Sequence, residues 1–201
     1  VARAISLWHR SLWVHICQDL FPDNLKALYG LNGGLISSLE RINTSVLREA
    51  RRLVVLGRDM EERLLEKGFS RSRLCQIPNW VDLNFVRPLP KRNFFSEKHQ
   101  LADKFVVLYA GNFGRIYNFE DVLGAAERLK DRPEIIFVFV GEGALKEELT
   151  RGFQSRVLKN FLIVPFDPRS RVPEVLASAD VGLILLKEGM AGLSVPSKIY
   201  S

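Results

Sequence analysis

The sequence predicts an α/β fold with its strands in parallel, and three observations carry that prediction. Between Phe105 and Leu186, four short apolar runs (FVVLYA, IIFVFV, FLIVPF, VGLILL) alternate with stretches of helical spacing. The runs lack in-out alternation, so both faces of those strands are expected to be covered, as in a parallel sheet. The rhythm of strand, helix, strand, helix calls for right-handed βαβ crossovers and hence a Rossmann-like sheet.

The elements follow in chain order. SLWVHICQDLF reads as a buried strand running into a loop, with Trp8, Trp13 and the leucines as core. His9 and His15, beside those tryptophans, read as packing residues rather than ligands. The segment 33–50 predicts a helix with Leu35, Leu39, Ile42, Val46 and Leu47 on one side. LVVLG is a short strand, RDMEERLLEKG a helix closed by Gly68, and RLCQIPN a further strand. Pro78, Pro88, Pro90 and the Lys91-Arg92 pair mark residues 79–103 as a linker. Beyond it, Phe119, Val122, Leu123, Ala126 and Leu129 have helical spacing. ALKEELTRGFQSRV and VPEVLASA are helical too, and Pro196-Ser197 opens a last helix. Residues 1–79 are then the tail of one α/β domain, 80–103 a linker and 104–201 most of a second. Both ends read as cut from a longer chain.

Composition narrows the class. Hydrophobic residues are 47% and charged residues 26% of 201, which argues against disorder. No apolar run approaches the ~20 residues of a membrane-spanning helix. Two cysteines, Cys17 and Cys75, make neither a disulfide framework nor a zinc cluster, and three scattered histidines make no metal site. The net charge of +6 is uneven: residues 51–100 carry 11 Lys/Arg against 6 Asp/Glu, and residues 101–150 carry 6 against 9. A basic surface suits anionic lipid, nucleotide phosphate or nucleic acid, or is simply a solvated face. Aromatic residues for base stacking are thin there (Phe69, Trp80, Phe85), which argues against nucleic acid.

Ligands of open α/β sheets bind outside the carboxyl ends of the strands, so the loops after Ala110, Val140, Pro165 and Leu186 carry the candidate chemistry. Gly111-Asn112-Phe113-Gly114-Arg115 lets backbone approach a ligand, leads to a helix N-terminus suited to an anion, and offers Arg115 to a phosphate. It lacks the G-x-G-x-x-G spacing of a dinucleotide fingerprint, and plain chain reversal is its alternative. Gly141-Glu142-Gly143 is a tight turn placing Glu142 near a helix start. Phe166, Asp167 and Arg169 offer a place for a nucleotide base, or are ordinary surface groups. Small residues from Gly189 to Ser194, then Ser197 and Lys198 in a first helical turn, make a phosphate or carboxylate cradle. No nucleophile-histidine-acid order and no paired catalytic carboxylates stand out.

Six pieces in order carry a resemblance: Gln18 to Asp23, Ile77 to Asp82 with Phe85 and Pro88, Tyr109 to Gly114, Val140 to Gly143, Ala179-Asp180, and Pro196 to Tyr200. Over about 14–201 the chain resembles a GT-B glycosyltransferase of the group 1 retaining type, similar to colanic acid and exopolysaccharide assembly enzymes. In that family two Rossmann-like domains face each other across a cleft. The C-terminal one binds a nucleotide-sugar and the N-terminal one the acceptor. The resemblance implies sugar transfer to a lipid-linked or polysaccharide acceptor with retention. It implies no cofactor and no required metal, UDP or GDP as the expected nucleotide, and a cytoplasmic protein peripheral at the inner membrane face. Gly111, Asn112, Gly114 and Arg115 would lie by the diphosphate, Phe166 and Arg169 by the base, and Glu142 and Gly143 at the same cleft. Gly192, Ser197 and Lys198 would meet sugar and diphosphate. Many members carry an Arg and a Lys on the diphosphate where this chain has Asn112 and Tyr117. Their two glutamates across the last loop and helix match Leu193 and Ser201. The contrasting expectation is a non-catalytic nucleotide-binding α/β module.

Overall fold

The computed structural model describes residues 2–166 and 168–200. They divide into two compact units, one of residues up to 79 with 187–195, the other of 80–186 with 196 onward.

The N-terminal unit has three parallel strands in the order β1 (Val14–Cys17), β2 (Arg52–Val55), β3 (Leu74–Gln76). Helices α2 (Asp23–Tyr29) and α3 (Gly34–Glu49) make the first crossover and α4 (Arg58–Glu66) the second. Helix α1 (Ala2–His9) precedes them. Arg3 of α1 donates to Glu49 at 2.7 Å. Leu53, Val55, Leu56, Met60 and Leu64 form the core of this unit.

Three expectations for this half are corrected. Trp8 is 86% and Leu12 81% exposed, and His9 is exposed as well, so this stripe is not core. On β1 only Cys17 is buried, since β1 pairs on one side alone. On α3 the buried residues are Ile36 and Leu47, while Leu35 and Ile42 face out. The packed face instead includes Glu40, Asn43 and Thr44, which are half-buried. An apolar count along the helix misses this, because Glu40 and Asn43 find partners outside the helix, in Lys26, Lys67 and the Phe21 carbonyl.

The C-terminal unit is a four-stranded parallel sheet. Its strands are β4 (Phe105–Ala110), β5 (Ile135–Val140), β6 (Phe161–Val164) and β7 (Val181–Gly182), in the order β6-β5-β4-β7. Helices α6 (Glu120–Arg128), α7 (Lys146–Ser155) and α8 (Val172–Ala177) make the crossovers. The period of two along each strand splits the core into two layers. Val107, Tyr109, Phe137 and Phe139 pack with Phe113, Phe119, Val122, Leu149 and Phe153 on one face. Val106, Leu108, Val138, Val140 and Val164 pack with Phe95, Leu101 and Val175 on the other.

Both faces of β4 and β5 are therefore covered, as unbroken apolar runs require. The VGLILL run pairs over only two residues, and Val181 and Ile184 are exposed, because β7 is an edge. The stretch with linker composition holds more structure than its prolines suggest. Helix α5 (Phe94–Lys98) opens with a capping box between Asn93 and Ser96. Asn93 Nδ2 also donates to the Glu174 carbonyl at 3.0 Å, fastening α5 to α8. Asp180 closes the sheet: its carboxylate accepts from Val106 N–H at 2.7 Å and pairs with Lys91. Burial opposes its charge, but Lys91 and the Val106 N–H hold the carboxyl below its usual range.

Candidate functional site

In the C-terminal unit the chain runs from β4 to β5 on one side and returns as β7 on the other. That reversal of strand order opens a crevice at the carboxyl ends of β4 and β7. A cavity of about 240 Å³ lies there, lined by Leu108, Ala110, Gly182, Leu183, Ile184 and Lys198 among others.

Three glycines shape the loops that follow β4 and β5. Gly111, Gly141 and Gly143 have φ of +146°, +154° and +147°, a region that favours glycine. A Cβ on Gly141 would sit 2.0 Å from the Gly111 carbonyl oxygen, and one on Gly143 2.4 Å from Asn112 Oδ1. The loops after β4 and β5 are thus packed backbone to backbone. Hydrogen bonds tie them: Phe113 N–H donates to the Glu142 carbonyl at 2.8 Å and Leu145 N–H to that of Phe113 at 3.0 Å. The Tyr109 hydroxyl donates to the Asn112 carbonyl at 2.7 Å.

Lys198 enters the same place from a single 3₁₀ turn, Ser197–Tyr200. A Cβ on Gly111 would lie 2.1 Å from Lys198 Cε, so the lysine stem crosses directly over the glycine. The ammonium lies 4.4 Å from the Tyr117 ring centroid and 4.8 Å from that of Tyr109. Burial lowers the Lys198 pKa. Gly111, Asn112, Gly143 and Lys198, singled out in the sequence, are therefore brought together.

The other candidates fall in different places. Gly114 lies beside the ring of Tyr117, and Arg115 is exposed further along the loop. Glu142 pairs with Lys146 at 2.7 Å, spanning the turn into α7. Phe166 is 55% exposed, and Arg169 lies over the Phe85 ring at 5.5 Å. Asp167 lies outside the described residues. Ser197 is exposed at the start of the turn. Gly192 belongs to the N-terminal unit, where a Cβ would meet the Asp59 carbonyl oxygen at 2.8 Å.

Two helix starts differ from expectation. The helix after the Gly111 loop begins only at Glu120, and Glu120 and Asp121 occupy its first turn. Those carboxylates already answer the helix dipole, so this terminus does not invite a further anion. The expected last helix is one 3₁₀ turn, so Lys198, not a helix dipole, supplies the positive charge. Sequence reasoning did not assign roles to Tyr109, to Tyr117 or to the Lys91–Asp180 pair. Their signals were present only as apolar-run and motif members, since contacts between positions so far apart in the chain leave no local pattern.

The N-terminal unit holds its own cavity of about 320 Å³, with His15, Asp23, Asn43, Thr44 and Lys67 in its lining. Beside it Lys67 bridges Asp23, at 2.8 Å, and Glu40, and Lys26 also binds Glu40. Hydrogen bonds from Lys26 and Lys67 hold Glu40 at a pKa of about 2.

Residues 91–195 match the family model "Glycosyl transferases group 1", which is more than half of the chain. The chain belongs to the group 1 glycosyl transferases. It is 34% identical over 194 residues to the probable glycosyltransferase WbjE of Pseudomonas aeruginosa, covering 94% of this chain and 48% of WbjE. It is 30% identical over 171 residues to the putative colanic acid biosynthesis glycosyl transferase WcaI of Escherichia coli, covering 83% of this chain and 42% of WcaI. The chain thus spans about half the length of the curated relatives it matches. Anabaena HepE, solved in complex with UDP, superposes with a TM-score of 0.73 at 15% identity, over 90% of this chain and 48% of HepE. The parallel α/β units are those of the GT-B glycosyltransferase fold, as the resemblance implied. Among the described residues no helix is long and apolar enough to cross a membrane.

Proposed function

We propose that the protein transfers a sugar from a nucleotide-sugar to a lipid-linked or polysaccharide acceptor, with retention, in the assembly of cell-surface polysaccharide. The observation that carries this reading is the crevice between β4 and β7, lined in part by the half-buried Lys198, whose stem crosses Gly111 of the loop after β4. A cation in a partly desolvated site stabilises the charge that develops on the departing nucleoside diphosphate. Arg115, further along the Gly111 loop, adds a second positive group. On this reading these cations stabilise the leaving group, and the reaction calls for no metal and no cofactor. Phe166 and Arg169 provide the surface for the base. The WbjE and WcaI relatives and the group 1 family support the transferase class. HepE, solved with UDP and with UDP-glucose, makes UDP the first nucleotide to test. The basic excess of residues 51–100 supports a peripheral position on an anionic membrane face.

The experiment is calorimetric titration with UDP, GDP and ADP, free and sugar-linked. Saturable binding of one of them is expected, with Arg115→Ala weakening it by about 1–3 kcal/mol as for a charge-assisted hydrogen bond. Absence of binding by all six compounds overturns the donor site. The 201 residues, about half the length of the relatives, are expected to bind the donor without transferring the sugar. Sugar transfer by the purified chain refutes that expectation.

A further inference from the structure

The three strands of the N-terminal unit are parallel, so all three begin at one end of their sheet. Arg51 N–H donates to the Trp13 carbonyl at 2.8 Å, just before β1 and β2 start. Arg73 Nη2 donates to the Arg48 carbonyl at 2.6 Å and Arg52 to that of Ser72, which brings the turn before β3 alongside. Helix α1 is fastened to the same end through Arg3 on Glu49. This end gathers one sign of charge and an apolar patch. Arg10, Arg48, Arg51 and Arg52 are exposed, and among the described residues none of the four makes an ion pair. The acids beside them, Glu49 and Glu61, are bound to Arg3 and Arg71. Leu7 and Trp8 of α1 and Leu12 of the loop after it are 65%, 86% and 81% exposed.

We propose that the amino end of the N-terminal sheet docks on an anionic phospholipid membrane. Trp8 and Leu12 enter the interface, and Arg10, Arg48, Arg51 and Arg52 meet the headgroup phosphates. The proposal rests on the peripheral position proposed above and gives it a surface. Ligands of α/β sheets bind at the carboxyl ends of the strands, so docking by the opposite end leaves those ends open. Large exposed apolar side chains bordered by cations fit a medium that is apolar inside and negatively charged at its face. An indole prefers that boundary, and each arginine close to an anionic surface adds attraction. The acids that would repel such a surface are neutralised by arginines of their own. RNA would engage the same arginines but leave Leu7 and Leu12 in water, so the apolar patch favours the membrane.

The test is co-sedimentation of the protein with vesicles of phosphatidylcholine, alone or mixed with phosphatidylglycerol. Binding is expected to the mixed vesicles, to fall as salt rises from about 0.1 to about 0.5 M, and to shift tryptophan emission to the blue. Trp8→Phe should remove most of that shift. Arg10→Gln and Arg51→Gln should each weaken binding about fivefold, and Leu12→Ser about tenfold. Arg128→Gln with Lys130→Gln, exposed positions of the C-terminal unit, is the control for net charge and should change binding little. Every substituted residue is exposed, so the variants keep the fold. Equal binding to both kinds of vesicle, unchanged binding in Arg10→Gln and Arg51→Gln, or an equal loss in the control overturns this surface while the peripheral position stands. Tighter binding of polyuridylate than of the mixed vesicles overturns it in favour of nucleic acid. Failure of the unsubstituted protein to bind either vesicle overturns the peripheral position and this proposal together, and leaves the transferase reading untouched.

Discussion

At Gly141 the absence of a side chain sets how closely two loops approach. A Cβ there would fall 2.0 Å from the Gly111 carbonyl oxygen, a backbone atom with nowhere to go, and the backbone φ of +154° disfavours other residues. Gly141→Ala is expected to destabilise the C-terminal unit by at least ~2 kcal/mol, in the class of backbone strain combined with overpacking. Gly124 is the control. It sits within α6 with nothing inside 4 Å of its missing Cβ. Gly124→Ala should be stabilising by about 0.5–1 kcal/mol, because alanine loses less conformational freedom in a helix. Thermal unfolding of the two variants measures both. An equal effect at the two glycines would show that the loops after β4 and β5 do not meet as described. Gly141 was visible in the sequence as a turn residue, but nothing local distinguishes a turn glycine from one holding two loops together.

At the scale of elements, the C-terminal strands were legible because buried parallel strands write themselves as unbroken apolar runs. Positions Val106 to Tyr109 need no polar face, and the two core layers explain why. Helix α6 was legible for the opposite reason: one face of it is buried and the other wet. The α3 face was misread, since Glu40 is turned inward toward Lys26 and Lys67 while Leu35 and Ile42 face out. Helix α5 was missed inside a proline-rich stretch, although Asn93 and Ser96 form a reciprocal cap there. Asn93 is also a bridge from α5 to α8. Asn93→Ala is therefore expected to cost about 1–2 kcal/mol, the upper part of the range for N-cap removal, read by chemical denaturation. A change below ~0.3 kcal/mol would sink the role given to that bridge.

For the whole molecule, the ion cluster of the N-terminal unit predicts a pH dependence. Hydrogen bonds from Lys26 and Lys67 hold Glu40 at about 2, below its ordinary value of 4.5. A carboxyl depressed in the folded state contributes stability that is fully present above pH 4.5 and is lost as the pH falls toward 2. Glu40→Gln should remove that contribution, lowering stability by ~1 kcal/mol at pH 7, since the group is partly exposed and screened, and by much less at pH 2. Melts of the two proteins across that range measure the difference, and parallel curves at every pH would count against the cluster.

Composition and apolar periodicity were enough to read a parallel α/β chain, because each is a local record of burial, and six ordered motifs carried the resemblance to the group 1 family. Strand order was not local. Only the tertiary structure brought Lys198 from the far end of the chain onto Gly111 and between Tyr109 and Tyr117, joined Lys91 to Asp180, and assigned Gly192 to the N-terminal unit. The reason is physical. A residue's burial is imprinted on its neighbours by the repeat of its helix or strand, whereas a contact between positions 81 apart is set by how the elements pack, and a single sequence carries no period for that.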